Sequence, residues 1–183
     1  MKRFVVIIAV MLLLVGCGNT DKDDQGDNAG NNNSQESNDN QDDSADADKE
    51  GYKFTINDVT VPMNVKADSI LEALGEPLES FEAPSCAFQG MDKIYNYGSY
   101  EVNTYPNEGT DIISAVDLKD DTVATEEGIY IGSTLAEVIE AYGEAESSEN
   151  GLYTYTLGDS KLTLIIKNDV VEAITYLAVV EGL

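Results

Sequence analysis

The chain contains no histidine and no tryptophan, and its 183 residues include only two cysteines and four prolines. Without imidazole, zinc sites that rely on it, Ser-His-Asp triads and Cys-His pairs are excluded within this chain. Positive charge is also scarce: ten Lys and Arg stand against 35 Asp and Glu, a formal net charge of -25. The acidity is spread along the chain, with twenty-four acidic and six basic side chains from Gly51 onward. Such a balance disfavours nucleic acid and anionic phospholipid as partners and suits a basic partner or a soluble surface. No apolar run is long enough to span a bilayer, because Phe4 to Val15 covers 12 residues where a helix needs about 20.

What is present at the amino terminus is an address. Lys2 and Arg3 precede that apolar run, and Leu14-Val15-Gly16-Cys17 closes it. This arrangement resembles the lipobox signal peptide of bacterial lipoproteins. The resemblance implies cleavage after residue 16, with Leu14 and Gly16 recognised by the signal peptidase and Cys17 carrying the lipid (diacylglycerol, with palmitate among its acyl chains). Several acyl chains hold a protein on a membrane where one binds only reversibly. Residues 17–50 then form a tether of Asp, Asn, Gly, Ser, Gln and Glu with almost nothing apolar. Such a composition cannot recover the entropy cost of ordering, so a disordered, extended leash is expected. With Cys17 lipidated, Cys86 has no partner within the chain and is expected as a small buried hydrophobe.

Residues 51–183 have the alternation and punctuation of an α+β domain. Tyr52 to Ile56 alternates apolar and polar, Asn57-Asp58 turns the chain, and Val59 to Val61 resumes extension. A helix over Ser69–Leu74 is predicted with Asp68 as its N-cap and Gly75 and Pro77 as its stop. Pro77 to Asp92 has no regular pattern, and Leu78, Phe81, Cys86 and Phe88 are expected to anchor it. Strands follow at Lys93–Tyr97, Ser99–Tyr105 and Ile112–Lys119, with a turn at Pro106 to Gly109.

The second half repeats the pattern. Ile129 and Ile131 read as a short strand before Gly132. Thr134 and Glu137 form a capping-box signature, and Leu135, Val138, Ile139 and Tyr142 share a helix face that Gly143 ends. Leu152–Leu157, Lys161–Lys167 and Val170–Val180 read as antiparallel strands joined at Gly158-Asp159 and Asn168-Asp169. Glu72, Ala73, Gly75 and Glu76 recur 68 positions later as Glu140, Ala141, Gly143 and Glu144. Asp111-Ile112-Ile113-Ser114-Ala115 is echoed 58 positions later by Asp169-Val170-Val171-Glu172-Ala173, and Tyr97-Gly98 by Leu157-Gly158 at 60. The reading is a tandem duplication, about 51–120 and 125–183, with about eight extra residues around Cys86 in the first copy. Each copy sets a short helix on antiparallel strands.

Leu74-Gly75-Glu76-Pro77 at a helix end, followed by hairpins and a closing strand at Asn168 to Ile174, is similar to the fold of β-lactamase-inhibitory proteins and small barrel-assembly lipoproteins of Gram-negative outer membranes. Tyr142-Gly143-Glu144-Ala145 departs from it by lacking the proline. The resemblance implies a saddle-like sheet that binds protein; it places no inhibitory loop here.

Ten tyrosines stand out, six of them in predicted hairpin strands: Tyr95, Tyr97, Tyr100, Tyr105, Tyr153 and Tyr155. On a wet face they would form a protein-recognition surface, and on the other face they are core. Asp117, Asp120 and Asp121 cluster without the spacing of a calcium loop, so no metal ligand set is expected. Ser85 has only Lys93 or Lys161 to draw on as a base. The expectation is a non-enzymatic, cofactor-free lipoprotein on the extracytoplasmic side of a cell membrane, Gram-positive rather than Gram-negative. Its domain is expected to bind a protein partner; the alternatives are an envelope assembly part and an accessory protein for small ligands or cations.

Overall fold

Alternation along each strand selects one face of a large sheet for burial, and both helices sit on that face. The computed structural model describes residues 50–180. Leu14, Gly16, Cys17 and the tether to residue 49 lie outside the described residues. The elements are β1 (Lys53–Ile56), β2 (Val59–Pro62), α1 (Asp68–Leu74), β3 (Glu79–Pro84), β4 (Met91–Asn96), β5 (Tyr100–Asn107) and β6 (Thr110–Leu118). They continue as α2 (Leu135–Tyr142), β7 (Ser147–Glu149), β8 (Leu152–Leu157), β9 (Ser160–Lys167) and β10 (Val170–Ala178). Strands β1 and β2 form a separate hairpin, and the other eight form one antiparallel sheet in the order β3-β4-β5-β6-β10-β9-β8-β7. The molecule is an α+β fold with two helices on a large antiparallel sheet.

That strand order is the same read from either end once β3 to β6 is laid on β7 to β10. The two halves meet where β6 pairs with β10, and Asp117 lies opposite Thr175, 58 positions later. The contacts that seat each helix repeat as well. Asn64 N–H donates to Ile113 O, Ala67 N–H to Asp111 O and Ile113 N–H to Val65 O. Their counterparts are Gly132 to Val171, Leu135 to Asp169 and Val171 to Ser133. Each pair is shifted by 68 before the helix and 58 in the closing strand. Ser114 in β6 and Glu172 in β10 each sit at a break in register, a bulge that kinks both closing strands at one equivalent point.

The core is one cluster. Cross-strand pairs Tyr100 with Leu118, Val102 with Val116, Tyr176 with Val116 and Ile174 with Leu164 all point to the helix side. Phe54 and Val61 of the small hairpin join them, fully buried, with the Phe54 ring centroid 5.1 Å from that of Tyr100. Val138 anchors α2, while Ile70, Leu71 and Leu74 hold α1 by partial burial. Helices this short are marginal alone, so packing on the sheet sustains them.

The expected capping box is present: Thr134 Oγ1 accepts from Glu137 N–H at 3.3 Å, and Glu137 Oε2 accepts from Thr134 N–H at 2.7 Å. The Thr134 N–H and hydroxyl, both donating to Glu137 Oε2, hold the Glu137 carboxyl below its ordinary value. Helix α1 differs from expectation. Leu71 N–H bonds the Ala67 carbonyl at 2.8 Å, so the helix starts at Asp68 with Ala67 as a cap that offers no side-chain bond.

Three further expectations are corrected. Ile129 to Ile131 is not a strand. Thr125 Oγ1 accepts from Ile129 N–H and Ser133 Oγ from Tyr130 N–H, so side chains take the donors a ladder would use. Pro77 to Asp92 is not irregular, because β3 pairs along its length with β4 from Glu79–Asn96 to Pro84–Met91. The insertion in the first copy lies between β3 and β4, around Cys86 as expected, and is longer than the eight residues expected. Registers match β3 to β7 at an offset of 68 but β4 to β8 at 58, a difference of ten residues. The same offset makes Tyr155, not Leu157, the repeat equivalent of Tyr97.

Candidate functional site

The tyrosines divide by face. Tyr100 and Tyr155 are 8% and 4% exposed and belong to the core, and Tyr95, Tyr97 and Tyr153 pack against it half-buried. Tyr97 donates its phenol to the Gly75 carbonyl at 3.3 Å, and Tyr155 donates to Gly143 at 3.1 Å. Both therefore tie a helix end to the sheet, which is the reason these positions are aromatic with a polar tip. Of the six, Tyr105 alone faces the other side, where its ring stacks on Phe88 with centroids 4.7 Å apart. A tyrosine-rich recognition surface is thus not how the sheet is built.

The other face of the sheet carries different chemistry. One cross-strand row crosses all eight strands: Glu79, Asn96, Glu101, Asp117, Thr175, Thr163, Thr154 and Ser147. Its polar groups are largely satisfied. Asn96 Nδ2 donates to Glu101 Oε1, Lys119 Nζ sits 3.1 Å from Glu101 Oε2, and Asn103 Nδ2 and Thr175 Oγ1 donate to the two oxygens of Asp117. Beside this row lie two apolar cross-strand pairs. Phe81 and Ile94 are 65% and 37% exposed, and Leu152 and Ile165 are 45% and 41% exposed. Ile94 and Leu152 are repeat equivalents, so the pairs occupy opposite corners about the Asp117–Thr175 centre. Sequence reasoning missed them. The one signal available was the alternation of Phe81 and Ala83 with Ser80 and Glu82.

At one corner the ten-residue insertion folds over this face. Ser85 Oγ accepts from Ala87 and Phe88 N–H, and Ser85 N–H donates to Gly90 O at 3.0 Å, which closes the loop. Gly90 has φ +134°, and a Cβ there would stand 2.7 Å from Pro106 Cβ. The loop is thereby pressed against β5. Beneath it is a cavity of about 420 Å³, lined mainly by apolar groups. The expected anchors of this segment behave otherwise than supposed: Leu78 and Phe81 are among the most exposed apolar side chains, and Cys86 is exposed rather than buried. Only Phe88 packs.

The remaining candidates stay apart. Asp120 Oδ1 accepts from Thr122 N–H and Oγ1, which lowers its carboxyl below the ordinary range, while Asp117 is spent on the central row. Among the described residues no three acidic or thiol groups converge as metal ligands. Lys93 is held by Asp111 at 2.6 Å and is not a base for Ser85; that bond raises its pKa. Among the described residues no helix is long and apolar enough to cross a membrane. Comparisons with protein-family models, curated proteins and solved structures find no match.

Proposed function

We propose that this protein is a lipid-anchored extracytoplasmic lipoprotein whose α+β domain binds a basic protein partner through the uncovered face of its eight-stranded sheet. The observation that carries the reading is the pairing of exposed apolar side chains, Phe81 with Ile94 and Leu152 with Ile165, on a face crossed by a carboxylate-bearing polar row. Apolar contact supplies association energy, and the surrounding acidity selects the sign of the partner. The signal sequence and Cys17 support the anchor, and the polar tether gives the domain reach from the membrane, here assigned to a Gram-positive surface.

Two experiments test the two parts. Metabolic labelling with palmitate should mark the chain and lose the mark in Cys17→Ser; a labelled Cys17→Ser protein would overturn the anchor. Crosslinking of the full-length protein on intact cells should give one adduct, lost in Phe81→Ser/Ile165→Ser and kept in Tyr153→Ser. An adduct indifferent to the Phe81/Ile165 variant would place the interface elsewhere.

A further inference from the structure

We propose that the cavity under the Ser85–Gly90 loop is an anchor pocket for a lysine or arginine side chain of the partner, an inference that rests on the protein-binding reading above. Its floor belongs to a single cross-strand row that begins at the exposed pair: Phe81, Ile94, Asn103, Ala115 and Leu177 lie side by side across β3, β4, β5, β6 and β10. A chain seated on Phe81 and Ile94 therefore reaches the cavity without leaving the sheet. Phe88 and Tyr105 form the aromatic wall.

The pocket has one unmet polar demand that fits a cation. Asp92 lines it, and its Oδ1 is buried with no hydrogen-bond partner. A buried carboxylate oxygen without a donor costs free energy that a guest N–H can recover. The other charged wall residue, Lys93, has its ammonium committed to Asp111 at 2.6 Å. The Asp159 carboxylate also acts on the Tyr105 phenol, adding to burial in raising its pKa, so a second acidic group stands near this wall. A long aliphatic stem ending in a donor matches apolar walls around a single acceptor, and aromatic faces favour the same charge. The loop is the insertion peculiar to the first half, so among the described residues the second half has no counterpart of it over this face. It gives the partner a single orientation.

The test uses the full-length protein in nanodiscs, with an environment-sensitive dye on Cys86 beside the pocket. The probes are n-butylguanidinium and its neutral isostere n-butylurea. The cation should bind about tenfold more tightly than the urea, as expected of a charge-assisted bond. Asp92→Asn should erase the preference, while Glu72→Gln on α1 should keep it. Ala115→Phe, which fills the floor, should abolish both signals with the circular dichroism spectrum retained. Equal binding of the two probes, or a preference that survives Asp92→Asn, would overturn the assignment. Loss of preference alongside a crosslinked partner overturns the pocket alone. A retained preference with no crosslinked partner overturns the protein-binding reading and with it the identity of the guest.

Discussion

Single residues in this fold are constrained by backbone geometry as much as by burial. Gly151 has φ +81° at the β7–β8 turn, and a Cβ on it would approach the Ile166 carbonyl oxygen to 2.6 Å. Gly151→Ala combines that clash with left-handed strain and should cost roughly 1–3 kcal/mol, read from chemical denaturation midpoints. Thr134→Ala removes the acceptor for Glu137 N–H and should cost about 1 kcal/mol, measured the same way. Glu137 adds a pH dependence of known sign. Its folded pKa is depressed, so its contribution is present above the unfolded value and disappears as pH falls through the folded value. Titration below neutrality of wild type against Glu137→Gln should show the two stabilities converging in acid.

At the scale of elements, the seam between β6 and β10 carries the whole union of the two four-stranded halves within the sheet. Its four register pairs run from Ile174–Leu118 to Leu177–Ala115, with Thr175 Oγ1 on Asp117 Oδ1 at 2.7 Å at the centre. Proline in a central strand removes a ladder bond and clashes with its neighbour, so Thr175→Pro should cost about 3 kcal/mol or more. Thr175→Val keeps the backbone and should lose far less, which separates the ladder from the side-chain bond. The outer strands are guarded in a different manner. β3 carries Glu79, Glu82 and Pro84, and β7 is only three residues long. Charge, proline and brevity are the usual devices against edge-to-edge association.

For the molecule as a whole, burial of tyrosine sets the alkaline limit. Tyr142 and Tyr176 have phenol pKa values pushed far up, chiefly by burial, and Tyr52, Tyr97, Tyr100 and Tyr155 shift the same way. A raised folded pKa means that the stabilisation is complete below the unfolded value near 10 and is lost as pH rises toward the folded one. Tyrosinate absorbance should therefore appear together with loss of secondary structure above about pH 10. Phenolate formation from these buried rings in a still-folded chain would contradict the burial described here. Association with a basic partner should slow as salt rises, because the Debye length falls to about 3 Å at 1 M. An association rate unchanged between low and high salt would remove electrostatics from the interface.

What the sequence by itself determined was local. Asn57-Asp58 and Asn168-Asp169 tolerate left-handed backbone and close their hairpins as expected. The Thr134–Glu137 box begins its helix, and strict alternation marked Leu152–Leu157 to the residue. The offsets of 68 and 58 reappear as matched hydrogen bonds. These features rest on contacts between residues a few positions apart, or on a period that any strand of this kind must show. Tertiary structure decided the rest. β3 and β7 have no deeply buried side chain; β3 offers only the short alternation of Phe81 and Ala83 with polar neighbours and β7 none, and pairing with β4 and β8 makes them strands. Tyrosine suits both a wet face and a core, and only the positions of the Gly75 and Gly143 carbonyls draw Tyr97 and Tyr155 inward. The open face, its apolar corners and the cavity under the inserted loop arise from pairings between segments distant in the chain, which no short-range pattern encodes.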